Sequence, residues 1–292
     1  MMNRLGCKAV STSLMERLKK ETELFIEKEN RAPGLAVILV GNDPASMTYV
    51  KNKALRAVEL GFVHFQYNLD EDCKESEVLT LIERLNHDDC VDGILVQLPL
   101  PPSINEEKVI NAISPEKDVD GFTDINVGRL CIGQDSIIPC TPAGIMEILS
   151  YYNIETQGKK AVVIGRSNIV GKPMAMCLMQ KAVDATVTVC NTKTPDLKEY
   201  TLGADIIVVA TGHVNTIDST FVKDGATVID VGMNRIEDKS REKGFRLSGD
   251  ANYESFRDRD VKITPVPGGV GVMTVTMLMA NTLKLAKKRV ER

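Results

Sequence analysis

Tryptophan is absent from the 292 residues, and phenylalanine and tyrosine together supply only 4% of them. Histidine is just as scarce. His64, His87 and His213 lie far apart with no ligand spacing, which argues against a histidine-held metal. The seven cysteines are an odd number and none falls in a C-x-x-C pair. A zinc motif and a disulfide framework are therefore not expected, and scattered single thiols suit a reducing compartment, the cytoplasm. No apolar stretch approaches the roughly 20 residues that span a bilayer, so no membrane association is expected. The opening MMNRLGCKAV lacks the apolar segment of a secretory signal. Charge of one sign is also missing: the net value is -4, and no run of Lys and Arg builds a stripe for nucleic acid. These bounds leave a soluble, metal-free cytoplasmic protein.

What is present is an ordinary globular composition, 43% hydrophobic and 26% charged, in a chain long enough for two domains. Ser13 and Glu16 make a capping-box spacing, and Leu14, Leu18 and Phe25 share a face, so a helix is predicted over 13–29. Leu35–Val40 reads as a strand buried on both faces, followed by a helix from Ala45 to Leu60 that Gly61 ends. Val63, Phe65, Tyr67 and Leu69 alternate as a strand does. Ser76 is a candidate cap for a helix carrying Val78, Leu79, Ile82 and Leu85, and Gly93–Leu98 is the next strand. A short helix over Glu106–Ile113 and a turn-rich Ser114–Phe122 follow, and residues 126–140 read as loop. Thr141-Pro142 is a helix start, with proline at the first helical position. Further strands are predicted at Ala161–Ile164, Thr186–Val189, Asp205–Val209, Thr227–Val231 and Val261–Ile263. Arg235–Gly249 reads as a solvated charged excursion, and Val272–Val290 as a final helix. Strands alternating with helices imply right-handed crossovers and a largely parallel sheet, the α/β class.

Lys159–Pro173, KKAVVIGRSNIVGKP, is a strand running into a glycine-marked turn and a helix. Such a turn offers free N–H groups and a positive dipole end to a phosphate. It approximates the dinucleotide fingerprint G-x-G-x-x-G, with Ser167 at the second glycine. By itself the signal is weak, and a strand-turn-helix with no ligand is the alternative reading.

Earlier in the chain, Tyr49 and Lys53 stand four apart and so share a helical face. Their helix follows a strand, which puts them at the sheet edge where ligands bind. A lysine partly desolvated there can act as a base near neutral pH; otherwise it is a solvated lysine beside a half-buried tyrosine. Gln97 ends a strand, and either meets Lys53 or is an ordinary polar terminus. Asp118 and Asp120 bracket Val119 in a turn, where an aspartate most simply caps the backbone.

Ser46-x-x-Tyr49-Val50-x-x-Lys53, Val96-Gln97-Leu98-Pro99-Leu100-Pro101, Asp118-Val119-Asp120-Gly121-Phe122, Pro139-Cys140-Thr141-Pro142, Gly165-Arg166-Ser167-x-x-Val170-Gly171-x-Pro173 and Pro265-Val266-Pro267-Gly268-Gly269-Val270-Gly271 occur in that order. Over almost its whole length the chain resembles the bifunctional methylenetetrahydrofolate dehydrogenase/methenyltetrahydrofolate cyclohydrolase family. The resemblance implies two α/β domains with the active cleft between them. A folate-binding catalytic domain would take residues 1–140 plus 273–292, and a Rossmann-like NAD(P)-binding domain 141–272. It implies hydride transfer from 5,10-methylenetetrahydrofolate to the nicotinamide, then water attack on the methenyl product to give 10-formyltetrahydrofolate. By position, Lys53 matches the catalytic lysine, Gln97 its amide partner, Tyr49 the tyrosine near the folate ring and Asp120 the aspartate that binds the pterin. Val96, Leu98, Gly271, Val272 and Thr274 match the rest of the folate pocket. Gly165, Arg166, Ser167, Thr192 and Met233 match cofactor positions. The resemblance also implies a homodimer formed through the cofactor domain.

Two departures are visible. The family's Gly-Pro-Met-Thr is here Gly271-Val272-Met273-Thr274, which alters one wall of the folate pocket. After the second strand of the cofactor half stands Cys190-Asn191-Thr192-Lys193, where a family Cys-His-Ser or Cys-His-Arg is usual. No acid is present there to hold the ribose 2′-hydroxyl of NAD, whereas Thr192, Lys193 and Arg166 can donate to a 2′-phosphate, so NADP is expected over NAD. A dehydrogenase lacking the second activity, and a non-catalytic nucleotide-binding protein of this fold, are the alternatives; Lys53 and Gln97 argue against the first, and Tyr49, Lys53, Gln97 and Asp120 together against the second.

Overall fold

The computed structural model describes residues 2–241 and 244–291; Glu242 and Lys243 of the charged insert lie outside them. The chain forms two compact units, one of Thr12–Cys140 with Val275–Arg292, the other of Met1–Ser11 with Thr141–Thr274. In chain order the elements are β1 (Asn3–Arg4), α1 (Cys7–Glu29), β2 (Gly34–Val40), α2 (Pro44–Glu59), β3 (Val63–Leu69), α3 (Glu75–Asn86), β4 (Gly93–Val96), α4 (Glu106–Ala112), α5 (Asp124–Cys131) and α6 (Cys140–Tyr151). There follow β5 (Lys160–Ile164), α7 (Gly171–Leu178), β6 (Thr186–Cys190), α8 (Leu197–Thr201), β7 (Ile206–Val209), β8 (Thr227–Asp230), β9 (Asn234–Glu237), β10 (Phe245–Ser248), β11 (Lys262–Ile263) and α9 (Gly271–Val290).

The first of these units is built on a parallel sheet in the order β3-β2-β4. Every residue of β2 is buried, as its unbroken apolar run requires of a central parallel strand. From β2 the chain crosses to β3 on one side, then returns to β4 on the other. The order therefore reverses at β2, and the carboxyl ends of β2 and β4 flank the crevice that such a reversal opens. In the other unit a six-stranded parallel sheet runs β1-β11-β8-β7-β5-β6. The same reversal occurs at β5, which places the turn after β5 beside the end of β7.

Several boundaries differ from the sequence pattern. Helix α1 begins at Cys7, because Cys7 and Val10 extend the buried stripe of Leu14, Leu18 and Phe25 backwards; burial overrides the local capping box. Lys74 rather than Ser76 occupies the N-cap of α3, and the Glu77 carboxylate accepts from the Lys74 N–H at 3.0 Å. Residues expected as loop after Asn126 begin inside α5, which Thr123 caps. Helix α6 already includes Cys140, so Thr141 and Pro142 lie in its first turn. The charged insert contains an antiparallel hairpin, β9 with β10, instead of an unstructured excursion. Strand β4 stops at Val96, although the Gln97 N–H still donates to the Ile38 carbonyl of β2 at 2.9 Å.

The C-terminal helix joins the three-stranded unit through Asp92, a fully buried carboxylate. Arg31 Nη1 and Nη2 donate to its two oxygens at 2.7 and 2.9 Å, the Gly34 N–H donates at 2.8 Å, and Arg289 Nη1 at 2.8 Å. The end of α1, the start of β2 and the end of α9 meet at this one group. Removing it leaves two guanidinium groups facing each other without their carboxylate. Asp92→Ala is expected to lower stability by about 3–5 kcal/mol in urea unfolding, the usual loss when one partner of a buried ion pair is deleted. A loss under about 1 kcal/mol would show that Asp92 is not the clamp.

Candidate active site

Tyr49, Lys53, Gln97 and Leu98 follow the carboxyl ends of β2 and β4, and Val96 is the last residue of β4. The Asp43 carboxylate accepts from the Ser46 N–H at 2.7 Å and Pro44 follows it, so α2 starts directly after β2. One turn apart on this helix stand Tyr49 and Lys53. Tyr49 is 45% exposed, a free phenol face, whereas Lys53 is half-buried. Lys53 Nζ donates to Gln97 Oε1 at 2.8 Å. Gln97 Nε2 donates in turn to the Leu98 carbonyl at 2.7 Å, which fixes the amide with its oxygen towards the lysine. The Leu98-Pro99 peptide is cis. Val96 itself is buried in the core, so any contact it makes with a ligand is through its backbone.

The two aspartates of the Asp118–Gly121 turn have separate tasks. Asp118 is buried and accepts from the Gly121 N–H, the Thr123 N–H, Thr123 Oγ1 and Asn126 Nδ2 at 2.8–2.9 Å. It is the backbone cap. Lys117, one residue earlier, donates from Nζ to the Leu85 and Asp88 carbonyls at 2.8 and 2.7 Å, and burial lowers its pKa to about 8. These anchors leave Asp120 for another use. Its only hydrogen-bond partner among the described residues is the Cys140 thiol, at 3.9 Å.

The electrostatics follow from enclosure. Burial lowers the Lys53 pKa below the ordinary lysine value of 10.5, and the Asp120 charge opposes that fall. Burial raises the Asp120 carboxyl to about 6, an effect that Lys53 opposes. Burial, with Asp120 second, holds the Cys140 thiol well above its ordinary range, so it remains a donor. A lysine that gives up its proton more easily than usual, next to a carboxylate that is ionised at neutral pH, can take a proton from water and pass it on.

Two neighbours of the site carried no role in the sequence reading. Cys140 lies inside a quoted motif, but only its contact with Asp120 gives it a function. Asn281, buried in α9, donates from Nδ2 to the Val119 and Ile138 carbonyls at 2.9 and 3.0 Å and lies 3.7 Å from Cys140 Sγ. An amide set among the apolar residues Met277, Leu278, Met279, Leu283 and Leu285 was its available signal, since a buried polar group needs partners. A surface groove of ≈ 610 Å³ also runs along α2, lined by Asn42, Met47, Thr48, Lys51, Gln66 and Asn68 among others. It lies on the Lys51 side of the helix and includes none of the candidate residues.

In the six-stranded unit, Gly165 follows β5 with φ +123°, and a Cβ there would fall 2.2 Å from the Ala210 carbonyl oxygen. The turn is thus pressed against the end of β7, which only glycine permits. Ser167 Oγ accepts from the Val170 and Gly171 N–H groups at 3.2 and 3.3 Å, which helps to cap α7 and leaves its hydroxyl proton free to donate. Arg166 and Ser167 are exposed at this turn, as are Thr192 and Lys193 after β6. Asn191 Oδ1 accepts from the Lys193 N–H, and Asn191-Thr192-Lys193, directly after β6, holds donors and no carboxylate. That donor set fits a dinucleotide bearing a 2′-phosphate. Met233 follows β8 with its side chain half-exposed over Gly271. Gly271, Val272 and Thr274 open α9, where the Val272 N–H donates to the Gly269 carbonyl at 3.0 Å and Thr274 Oγ1 to the Gly271 carbonyl at 2.9 Å. A proline at 272 could not make the first of these bonds.

Comparison with known proteins agrees with both halves. Residues 5–120 match the family model for the tetrahydrofolate dehydrogenase/cyclohydrolase catalytic domain, and residues 139–290 match the NAD(P)-binding domain of the same family. The bifunctional protein FolD of Acetivibrio thermocellus is 53% identical over 97% of this chain and 96% of that relative. Among solved structures, the bifunctional FolD of Campylobacter jejuni is 48% identical with a TM-score of 0.93, covering 99% of this chain and all of that one. The FolD of Trypanosoma brucei, solved with NADP and an inhibitor, is 38% identical with a TM-score of 0.93, covering all of this chain and 99% of that one.

Proposed function

Because the chain belongs to the tetrahydrofolate dehydrogenase/cyclohydrolase family, we propose that it carries out both of that family's reactions with Lys53 as the proton-handling group. It is a bifunctional enzyme. It oxidises 5,10-methylenetetrahydrofolate to the methenyl cation and hydrolyses that cation to 10-formyltetrahydrofolate. NADP is the cofactor, and it supplies the acceptor for the hydride. The observation that carries the site assignment is the 2.8 Å bond from Lys53 to a Gln97 amide whose orientation is itself fixed.

In the hydrolytic step a water oxygen bonds to the one-carbon bridge and one carbon–nitrogen bond breaks; Lys53 takes the water protons in turn, passing one to the released nitrogen and one to the medium. Gln97 holds the amine in place. Asp120 accepts hydrogen bonds from the row of N–H donors on the pterin, Tyr49 packs against the flat ring, and Val96, Leu98, Gly271, Val272 and Thr274 complete the folate contacts. Gly165, Arg166, Ser167, Thr192 and Met233 hold NADP, Arg166 among the groups nearest its 2′-phosphate. We divide the chain accordingly into a folate-binding catalytic domain, 1–140 plus 273–292, and a nucleotide domain, 141–272; the pairing of β1 with β11 favours adding the first residues to the latter.

A mixture of enzyme, methylenetetrahydrofolate and NADP, followed for reduced cofactor and methenyl absorbance together, is expected to show reduction without methenyl accumulation. Methenyl build-up would mean a dehydrogenase alone. Arg166→Ala is expected to cut the preference for NADP over NAD about tenfold, equivalent to about 1.4 kcal/mol, in kcat/KM ratios; an unchanged ratio would remove Arg166 from the phosphate site.

The cytoplasm is the compartment we assign, on seven free cysteines. No helix among the described residues is long and apolar enough to cross a membrane. We assign a homodimer through the nucleotide domain. Strand β6 is one edge of its sheet, Val189 on it is exposed, and Ile169 and Met179, which flank α7 in the chain, are exposed too. An open strand edge with apolar flanks is a pairing surface.

A further inference from the structure

Two buried aspartates of the six-stranded unit have no part in the reaction as described. Asp230 ends β8 and Asp250 follows β10; they are 1% and 0% exposed. Asp230 Oδ1 accepts from the Gly232 and Asp250 N–H groups at 2.9 Å each, and its Oδ2 from the Ala251 N–H at 3.0 Å. The side chain of Asp250 then reaches the next loop. Its Oδ2 accepts from the Thr211 N–H at 2.6 Å, the Gly212 N–H at 2.9 Å and Thr211 Oγ1 at 3.0 Å, while Oδ1 accepts from Asn234 Nδ2 at 2.8 Å. Gly249 makes room for this stack: a Cβ there would fall 1.8 Å from Asp230 Oδ2.

The loops joined in this way are those at the carboxyl ends of β7 and β8. One begins with Ala210, whose carbonyl is packed against Gly165 of the phosphate turn. The other carries Met233. Backbone N–H groups held by a buried carboxylate oxygen, as those of Thr211 and Gly212 are by Asp250 Oδ2, have little freedom, since an oxygen that loses its donors is a buried polar group left unpaired. We infer that Asp250, held by Asp230, is a positioning residue for the nucleotide: it sets the 210–213 and 231–234 loops against the Gly165 turn without touching the cofactor itself. This rests on the nucleotide reading of that turn, and it adds a determinant of NADP affinity drawn from the hairpin that the charged insert forms.

Asp250→Asn changes few atoms but replaces one acceptor oxygen with a donor. Its amide nitrogen must face either Asn234 or the Thr211 and Gly212 N–H groups. In the full-length enzyme the KM for NADP is expected to rise about tenfold, while hydrolysis of methenyltetrahydrofolate, supplied directly and without NADP, stays within about twofold of normal. Thr211→Val removes one donor to Asp250 and provides a milder second variant should Asp250→Asn not fold; about a threefold rise in the same KM is expected. Arg166→Ala runs beside them as the control for the nucleotide site. If Arg166→Ala raises the KM and neither other variant does, the positioning role is overturned and the nucleotide site stands. If none of the three moves it, the nucleotide assignment fails and this inference with it. A parallel loss of both activities and of melting temperature in both variants would make Asp250 merely structural, and would also overturn it.

Discussion

Lys53→Met should reduce methenyltetrahydrofolate hydrolysis by about 10²–10⁴-fold, the range that a positioned acid–base group contributes, and leave NADP affinity unchanged. Methionine keeps much of the length and apolar stem of lysine, so packing along α2 is largely retained. What is lost is the amine that Gln97 Oε1 accepts from at 2.8 Å. The measurement is the decay of methenyl absorbance with substrate supplied directly, and a melting curve checks that the variant is folded. A folded variant that hydrolyses at the normal rate would remove Lys53 from the mechanism. Gln97 then acts only through the lysine, and its replacement should matter less than the loss of the amine itself.

Asp120→Ala is expected to weaken folate binding by about 10- to 100-fold, because hydrogen bonds to a charged group are worth about 1.5–3 kcal/mol. The wild-type enzyme should show a related pH dependence. With its carboxyl raised to about 6 by burial, Asp120 is mostly ionised at pH 7 and gains a proton as pH falls through that value. A protonated carboxyl loses acceptor capacity, so folate KM should rise below about pH 6 and stay flat above it. In Asp120→Ala this acid-side rise should disappear. A KM that is insensitive to the substitution would place the pterin elsewhere.

The legible part of the fold was what hydrophobic pattern determines. The buried run of β2, the parallel order and the strand-turn-helix at Gly165 are all set by apolar spacing and turn residues, which act locally. The missed boundaries have tertiary causes. Helix α1 gains its first turns because Cys7 and Val10 are buried, and β1 exists because β11 lies beside it. Neither partner is near in sequence. The hairpin of β9 and β10 was hidden by charge, since its strands are only half-buried and their outward residues are polar.

The same distinction governs the site. Lys53, Gln97 and Asp120 were visible through motifs, yet sequence alone left both aspartates of the turn as possible caps. Geometry separates them: Asp118 accepts from four donors, and Asp120 is left facing the thiol of Cys140 with Lys53 close enough to shift it. Asn281 and Asp250 stand in no quoted motif. Their roles come from hydrogen bonds to backbone groups far away in the chain, which no local pattern records.

The titration of the Lys53 amine tests the central claim most directly. NMR of enzyme carrying labelled lysine, with the resonance assigned by its loss in Lys53→Met, reads that ionisation without any assay of turnover. The half-buried amine beside Gln97 should titrate below the ordinary lysine value of 10.5, and the rate of methenyl hydrolysis should follow the same curve. A Lys53 that titrates at or above 10.5 would contradict the account.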